Sequence, residues 1–316
     1  FTSRYIRKIP SLHWKMQDYA FCDYCKMLNV EQHVVPPGKP LLTNCRHCQQ
    51  PINKTGTYLV PGFGFIIDSG KIRTPGVKKP QRSYRGEIAY VGYRDDIVKN
   101  IHTIGNSNVE IGLSQNDEMA VLNTSKFFVC ETCGYAELDE DLYTKKKKKE
   151  HKNAAGYNCT SNILCRYALG YRFETDVLML HFQNPDLSEW EQALSVVHGF
   201  LRGISLHLNI EENELGGSLL YQSNHITSQP NFALVLFDKT PGGAGHVRRL
   251  QDPIVLENTL QTTYELMQNC NCGGEHADSS CYGCLRNYYN QRQHDVLRRS
   301  YVRDFLESMF VYKSQG

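Results

Sequence analysis

The cysteines of this 316-residue chain constrain its fold more than any other feature. There are twelve, in three groups with short repeating spacings. The first group is Cys22-x2-Cys25-x19-Cys45-x2-Cys48, two C-x-x-C knuckles. A knuckle lets both of its sulfurs reach one ion at about 2.3 Å, and two knuckles complete a tetrahedron. That is the spacing of a zinc ribbon. A thioredoxin-like redox pair would need one C-x-x-C in a βαβ setting, and neither condition holds. The third group is Cys270-x-Cys272-x8-Cys281-x2-Cys284. It brackets a short polar loop in which Gly273-Gly274 relieves the turn, and it reads as a second four-cysteine site, with His276 facing solvent.

The middle group starts with the knuckle Cys130-x2-Cys133-Gly134, whose partners come from His151, Cys159 and Cys165. Counting cysteines in fours selects Cys159 with Cys165. The other choice is His151 with Cys159, which leaves Cys165 as a small buried hydrophobe. Both remain open on the residues alone. With four protein ligands no coordination position is left for water, so the three sites are expected to be structural rather than catalytic. Such an ion stabilises a loop-rich segment by on the order of 10 kcal/mol. The expected cofactor is zinc, about three ions per chain.

The first eight residues contain no signal-peptide core, and no apolar run approaches the roughly 18 residues of a membrane span. Many cysteines without a secretion signal indicate a reducing compartment, so a cytoplasmic location and no membrane partner are expected. The chain does not begin with Met and reads as a piece of a longer or processed protein. Its length suits about two domains of roughly 150 residues. A net charge of +2 permits a nucleic-acid partner without arguing for one.

The expected fold class is α+β: a zinc-ribbon and β-rich N-terminal part, then an α+β region with a four-cysteine zinc site. Residues 1–55 read as a loop-rich zinc-ribbon-like segment, 56–166 as a β-rich segment with the second site, and 167–316 as the α+β part. Runs at 57–60, 87–91, 119–122, 175–182, 218–222 and 232–237 have strand composition. The stretch 68–83 reads as a long loop, and the lysine run Lys145 to Lys149 as a solvated one. Ser188 and Glu191 form an S-x-x-E capping box, followed by one apolar helical face of Trp190, Leu194, Val197, Leu201, Ile204 and Leu208.

After the third group the sequence predicts a final helix from Cys284 onward, with Leu297, Tyr301 and Phe305 facing inward. Arg286, Arg292, Arg298 and Arg299 would make it a phosphate-contacting element, unless they pair with acids of their own domain. The glycine-rich turn 238–246 reads first as a tight turn for close packing. Second, its backbone N–H groups could face an anion, and Asp238 and His246 are the residues there able to do chemistry. No G-x-x-x-x-G-K-[ST], H-E-x-x-H or G-x-S-x-G occurs, and Gly38-Lys39 is followed by Pro40. The acidic stretch Asp139-Glu140-Asp141 has no phosphate loop upstream. The sequence thus carries no recognisable motor or hydrolase motif.

The run Leu236-Phe237-Asp238-Lys239-Thr240-Pro241-Gly242-Gly243-Ala244-Gly245 is followed by the third cysteine group and by Leu285-Arg286-Asn287-Tyr288-x-Asn290-Gln291-x2-His294-x2-Leu297-Arg298-Arg299. Together they resemble the zinc-binding C-terminal region of MrfA-like DEAD/DEAH-box helicases, a region shared by the DISARM anti-phage protein DrmB. The double knuckle, Pro61-x-Phe63-Gly64-Phe65, the Cys-x2-Cys-Gly knuckle and Leu169-Gly170-Tyr171-Arg172-Phe173-x-Thr175-Asp176 agree with it. The resemblance runs from about Phe21 to Arg303. It implies zinc on Cys270, Cys272, Cys281 and Cys284, and favours His151 with Cys159 in the middle site. It further implies an accessory region supporting DNA translocation, repair or phage defence. The motor would then lie upstream in the same polypeptide or on a partner chain. The competing expectation is an interaction module that docks a motor and never touches nucleic acid.

Overall fold

The computed structural model describes residues 5–6, 15–32, 42–60, 65–66, 86–92, 97–138, 146–183, 187–223 and 230–311. The loop expected at 68–83, residues 61–64 of the Pro61-to-Phe65 motif, the 38–40 and 139–141 stretches and Lys145 lie outside them. The described strands begin with β1 (Tyr5–Ile6), β2 (Lys15–Phe21), β3 (Leu28–Gln32), β4 (Gly56–Val60) and β5 (Phe65–Ile66). Next come β6 (Gly86–Tyr90), β7 (Lys99–Ile104), β8 (Ser107–Val129), β9 (Ala136–Leu138), β10 (Lys146–Lys148) and β11 (Ile163–Phe182). The remainder is α1 (Trp190–Leu208), β12 (Leu215–Ser223), β13 (Pro230–Asp238), α2 (Pro253–Asn269) and α3 (Arg299–Phe310). Two 3-10 turns, Val247–Gln251 and Tyr288–Gln293, flank α2 and the third cysteine group. The class is α+β.

Two long antiparallel strands, β8 and β11, form a spine whose register runs from Cys165 opposite Val129 to Phe182 opposite Val109. Each has three short partners in succession along its outer edge. β7, β6 and β9 pair with β8, while β13, β4 and β10 pair with β11. Register shifts between Tyr167 and Leu169 and between Thr175 and Val177 bend the spine, as β-bulges do. The strand runs expected at 119–122 and 175–182 are therefore the middle and end of much longer strands. β11 also passes uninterrupted through residues 166 and 167.

The unbroken apolar run of β11 is explained by cover on both faces. Leu178, Leu180 and Phe182 enter the main core beside α1, whereas Val177 and Met179 enter a second cluster with Tyr90, Met119, Val235 and Phe237. In α1, Leu194, Val197, Ile204 and Leu208 are buried, with Trp190 and Leu201 packed at the margin. A Cβ at Gly203 would lie 1.8 Å from the Thr263 hydroxyl, so only glycine lets α1 and α2 approach this closely there. The expected Ser188–Glu191 capping box does not form. Glu189, in extended geometry, is the N-cap and makes no side-chain cap bond.

The first cysteine group is folded into the main core rather than set apart. Cys22, Cys25, Met27 and Cys45 belong to the same cluster as α1, α2 and α3, and the Tyr221 N–H donates to Met27 Sδ at 3.2 Å. Residues near both ends of the chain thus share one core. Helix α3 closes it, with Phe305 against Phe182 and Phe200, and with the Asn106 N–H donating to the Met309 carbonyl at 2.8 Å.

Two expectations are corrected. The described lysines 146–148 are the edge strand β10 rather than loop, and charged residues on an edge block further pairing. Residues 284–298 are not one continuous helix with α3. They form a turn and a 3-10 segment, and Leu297 is buried ahead of α3 rather than within it. No helix among the described residues is long and apolar enough to cross a membrane.

Candidate metal centres

Three of the four cysteine pairs in the first two clusters are built by the same local turn. In 22–27, 45–50 and 130–135 the first cysteine's carbonyl accepts the N–H four residues on, and its own N–H donates to the carbonyl five residues on. The residue after the second cysteine is left-handed in each: Lys26 at φ 62°, Gln49 at φ 60° and Gly134 at φ 80°. The turn aims both sulfurs of a pair at one point.

The first cluster brings Cys22, Cys25, Cys45 and Cys48 together, with Cys22–Cys48 and Cys25–Cys45 sulfur separations of 3.5 Å. Four thiolates at about 2.3 Å from a tetrahedral ion would stand about 3.8 Å apart. A disulfide would need about 2.05 Å, and all twelve cysteines are free. The donor set therefore fits zinc.

The second cluster brings together Cys130, Cys133, His151 and Cys159, with Cys130–Cys159 sulfurs 3.8 Å apart and Cys133 Sγ 3.2 Å from His151 Nε2. The His151 Nδ1–H donates to the Lys149 carbonyl at 2.9 Å. That leaves Nε2 as the unprotonated, ligating nitrogen. Tyr135 stacks on the imidazole at 4.8 Å. Cys165, the other candidate, is not in this group. It lies on β11, paired with Val129 and Lys146, and strand register rather than cysteine count decides its place. Burial, then the nearby Glu131 carboxylate, pushes its thiol up.

The third cluster joins Cys270, Cys272, Cys281 and Cys284, with Cys270–Cys281 at 3.6 Å, Cys272–Cys284 at 3.5 Å and Cys281–Cys284 at 3.7 Å. Its second pair sits on a helix-like turn, where the N–H groups of Cys284, Leu285 and Arg286 all point at the Cys281 carbonyl. Burial pushes the Cys25 and Cys284 thiols up. One thiol in each cluster is nonetheless held down. Against the opposing effect of burial, backbone N–H groups lower Cys45, and lower Cys130 and Cys281 to about 7. A bound cation would bring the others down as well.

The four arginines expected to face phosphate separate into two kinds. Arg299 is buried at 4 % exposure and donates to the carbonyls of Cys272, Met267 and Gly274, so it braces the third cluster instead of facing a ligand. Arg286 is likewise turned inward, donating to the Ser280 hydroxyl and the His294 carbonyl. Arg292 forms an exposed pair with Glu87 at 3.2 Å and also reaches Thr124. Arg298 donates only to the Leu297 carbonyl, at 3.5 Å, among its printed side-chain bonds. No sequence signal separates the buried arginine from its exposed neighbour.

Lys147 and Lys149 both pair with Glu137, and Lys147 also lies 4.9 Å over the Phe128 ring. Burial works against the Glu137 carboxylate, but these two lysines hold it down at about 2. The glycine turn is also internally engaged. Buried Asp238 accepts the N–H groups of Ala244, Gly245, His246 and Val247, so the anion in this cradle is the chain's own. His246 pairs with Glu214 at 2.9 Å. Asp176, equally buried, holds Arg248 by two bonds of 2.7 and 2.8 Å.

Comparison with known proteins bears on the C-terminal part most directly. Residues 196–285 match the family model described as MZB, the MrfA Zn-binding domain, and so include the whole third cluster. The chain is 27 % identical over 219 residues to Druantia protein DruE of Escherichia coli (strain UMEA 4076-1). That match takes in 63 % of this chain and 11 % of the relative's length. A solved structure, the crystal structure of the DUF1998 helicase MrfA bound to DNA, overlaps 71 % of this chain and 26 % of its own, at 13 % identity and a TM-score of 0.34. That overlap is too loose to carry structural detail across. The chain therefore contains a segment, residues 196–285, of the MrfA Zn-binding domain family, and zinc is the metal that its cysteine clusters support.

Proposed function

We propose that this chain is the zinc-stabilised accessory region of a helicase or anti-phage defence assembly, contacting DNA while a motor elsewhere supplies the work. The observation that carries the reading is the four-cysteine cluster inside the segment matching the MrfA Zn-binding domain. The likeness to Druantia protein DruE supports a defence role over repair, and the DISARM likeness of the motifs points the same way. The ligand sets are Cys22, Cys25, Cys45 and Cys48; Cys130, Cys133, His151 and Cys159; and Cys270, Cys272, Cys281 and Cys284. Each has four protein donors, so the ions fold the chain and leave no open position for catalysis. The motor is in the same polypeptide or on a partner chain, and the assembly works in the cytoplasm.

Arg292 and Arg298 are the DNA contacts on this side of the molecule. The exposed Arg292–Glu87 pair is worth little in water and can be exchanged for a phosphate. Contacts of this kind position a protein on DNA without reading sequence. The test is a titration of single- and double-stranded DNA at several salt concentrations, with wild type and an Arg292→Ala, Arg298→Ala double variant. The expected result is weak, sequence-independent binding whose salt slope falls by about one unit per contact removed. A folded wild-type chain without salt-sensitive binding would sink the DNA reading. It would favour the docking module, to which the inward-turned Arg286 and Arg299 already lend support.

A further inference from the structure

We propose that the groove between β7 and the start of α2 is a phosphate-binding site, and that the glycine turn serves to present it. The groove has a volume of about 690 Å³ and is open to solvent. Asn100 and His102 line it from β7, Arg248, Arg249 and Gln251 from the 3-10 turn, and Asp252 from the head of α2. Two guanidinium groups, an imidazole and two amides converge on one space, a donor set suited to phosphate oxygens. Asp252 is the one acid among these six, and its carboxylate already accepts the Ile254 N–H at 2.8 Å. Farther along β7, Lys99 is paired with Glu110 at 2.8 Å.

The arginines are held in place by the turn before them. Arg248 spends Nε and one Nη on Asp176, which fixes the guanidinium by one edge and leaves the other without a carboxylate. Arg249 has no ion pair among the described residues. Gly243 has φ +81°, and a Cβ there would lie 2.3 Å from Asp176 Oδ2, so this turn can pack on Asp176 only as glycine. Asp238 ties down four N–H groups of residues 244–247, immediately before Arg248. The motif that looks like an anion cradle is thus filled by Asp238, and its product is a rigid Arg248–Arg249 pair beside it.

No aromatic side chain lines the groove, so it offers no stacking surface for bases. Its chemistry fits the phosphodiester backbone of a nucleic acid, and this assignment rests on the DNA-contacting reading above. A free oligophosphate would present the same oxygens. The discriminating experiment uses the zinc-loaded full chain and two variants, Arg249→Glu and a Gln251→Ala, His102→Ala double. Arg248 is left intact, because removing it would strand buried Asp176. Each protein is titrated with a single-stranded oligonucleotide at two salt concentrations and, separately, with tripolyphosphate. Zinc content and thermal melting are followed alongside.

Arg249→Glu should weaken DNA binding by about tenfold or more at low salt and flatten the salt slope, with zinc and melting unchanged. The double variant should weaken binding less. DNA binding by Arg249→Glu within about twofold of wild type would overturn the groove while leaving the DNA reading intact. If wild type ignores DNA but binds tripolyphosphate through Arg249, the groove stands as a free-anion site and the DNA reading falls. Binding of neither ligand would overturn both.

Discussion

The middle metal cluster closes the far end of the β8–β11 spine, where Cys130 packs with Phe128 and Leu164, and Cys133, Tyr135 and Cys159 lie against them. The C-terminal cluster lies at the other extreme. Cys284 is part of the main core, Cys270, Cys272 and Cys281 pack on it, and Arg299 ties the intervening loop to α2 and α3. Donor number is the same in both, so the difference is in what else holds the loops. A small cluster at a strand end buries little apolar surface, so its order depends on the ion. In the C-terminal cluster the ion, the guanidinium and the core support one another, and loss of any one is felt throughout the fold.

The largest effect is expected at Cys284, which is 1 % exposed. Cys284→Ser should release one zinc and lower global stability by on the order of 5 kcal/mol, read by denaturant unfolding with elemental analysis. Unchanged melting would show that the core holds this loop unaided. Arg299→Ala should come next, at about 3 kcal/mol, because it removes a charged donor and leaves three carbonyls in need of partners. Zinc retained together with native stability would reduce Arg299 to a spectator.

Cys159→Ser should also cost one zinc, yet its effect should stay local. Amide protection should be lost across 130–165, with the main transition lowered by only about 1–2 kcal/mol. A global collapse equal to that of Cys284→Ser would erase the contrast between the two regions. The smallest effect belongs to Cys165→Ala, with zinc content unchanged and stability within about 1 kcal/mol of wild type. Loss of an ion in that variant would put Cys165 back among the ligands.

What the residue order determined by itself was local. A C-x-x-C pair and the residues just after it make a turn whose hydrogen bonds close within six positions, so the three knuckles were legible from spacing alone. The apolar face of α1 and the strand runs at 175–182 and 232–237 were legible for the same reason, since periodicity is set by neighbouring backbone geometry. The helical reading of 284–298 and the Ser188 cap failed because capping and 3-10 geometry answer to packing as well as composition.

Tertiary structure decided which donor completes a knuckle and which charges face water. His151 displaces Cys165 because the register of β11 against β8 and β10 carries Cys165 onto a strand, while the chain after β10 returns the imidazole to Cys133. Arg298 and Arg299 are adjacent and chemically identical, yet only Arg299 is buried, because the start of α3 turns it toward the carbonyls around the third cluster. Asp238 fills the glycine turn from the end of β13, so the turn's N–H groups were committed by the fold before any ligand could claim them. Burial and pairing of charges depend on residues far apart in sequence, and no local pattern encodes them.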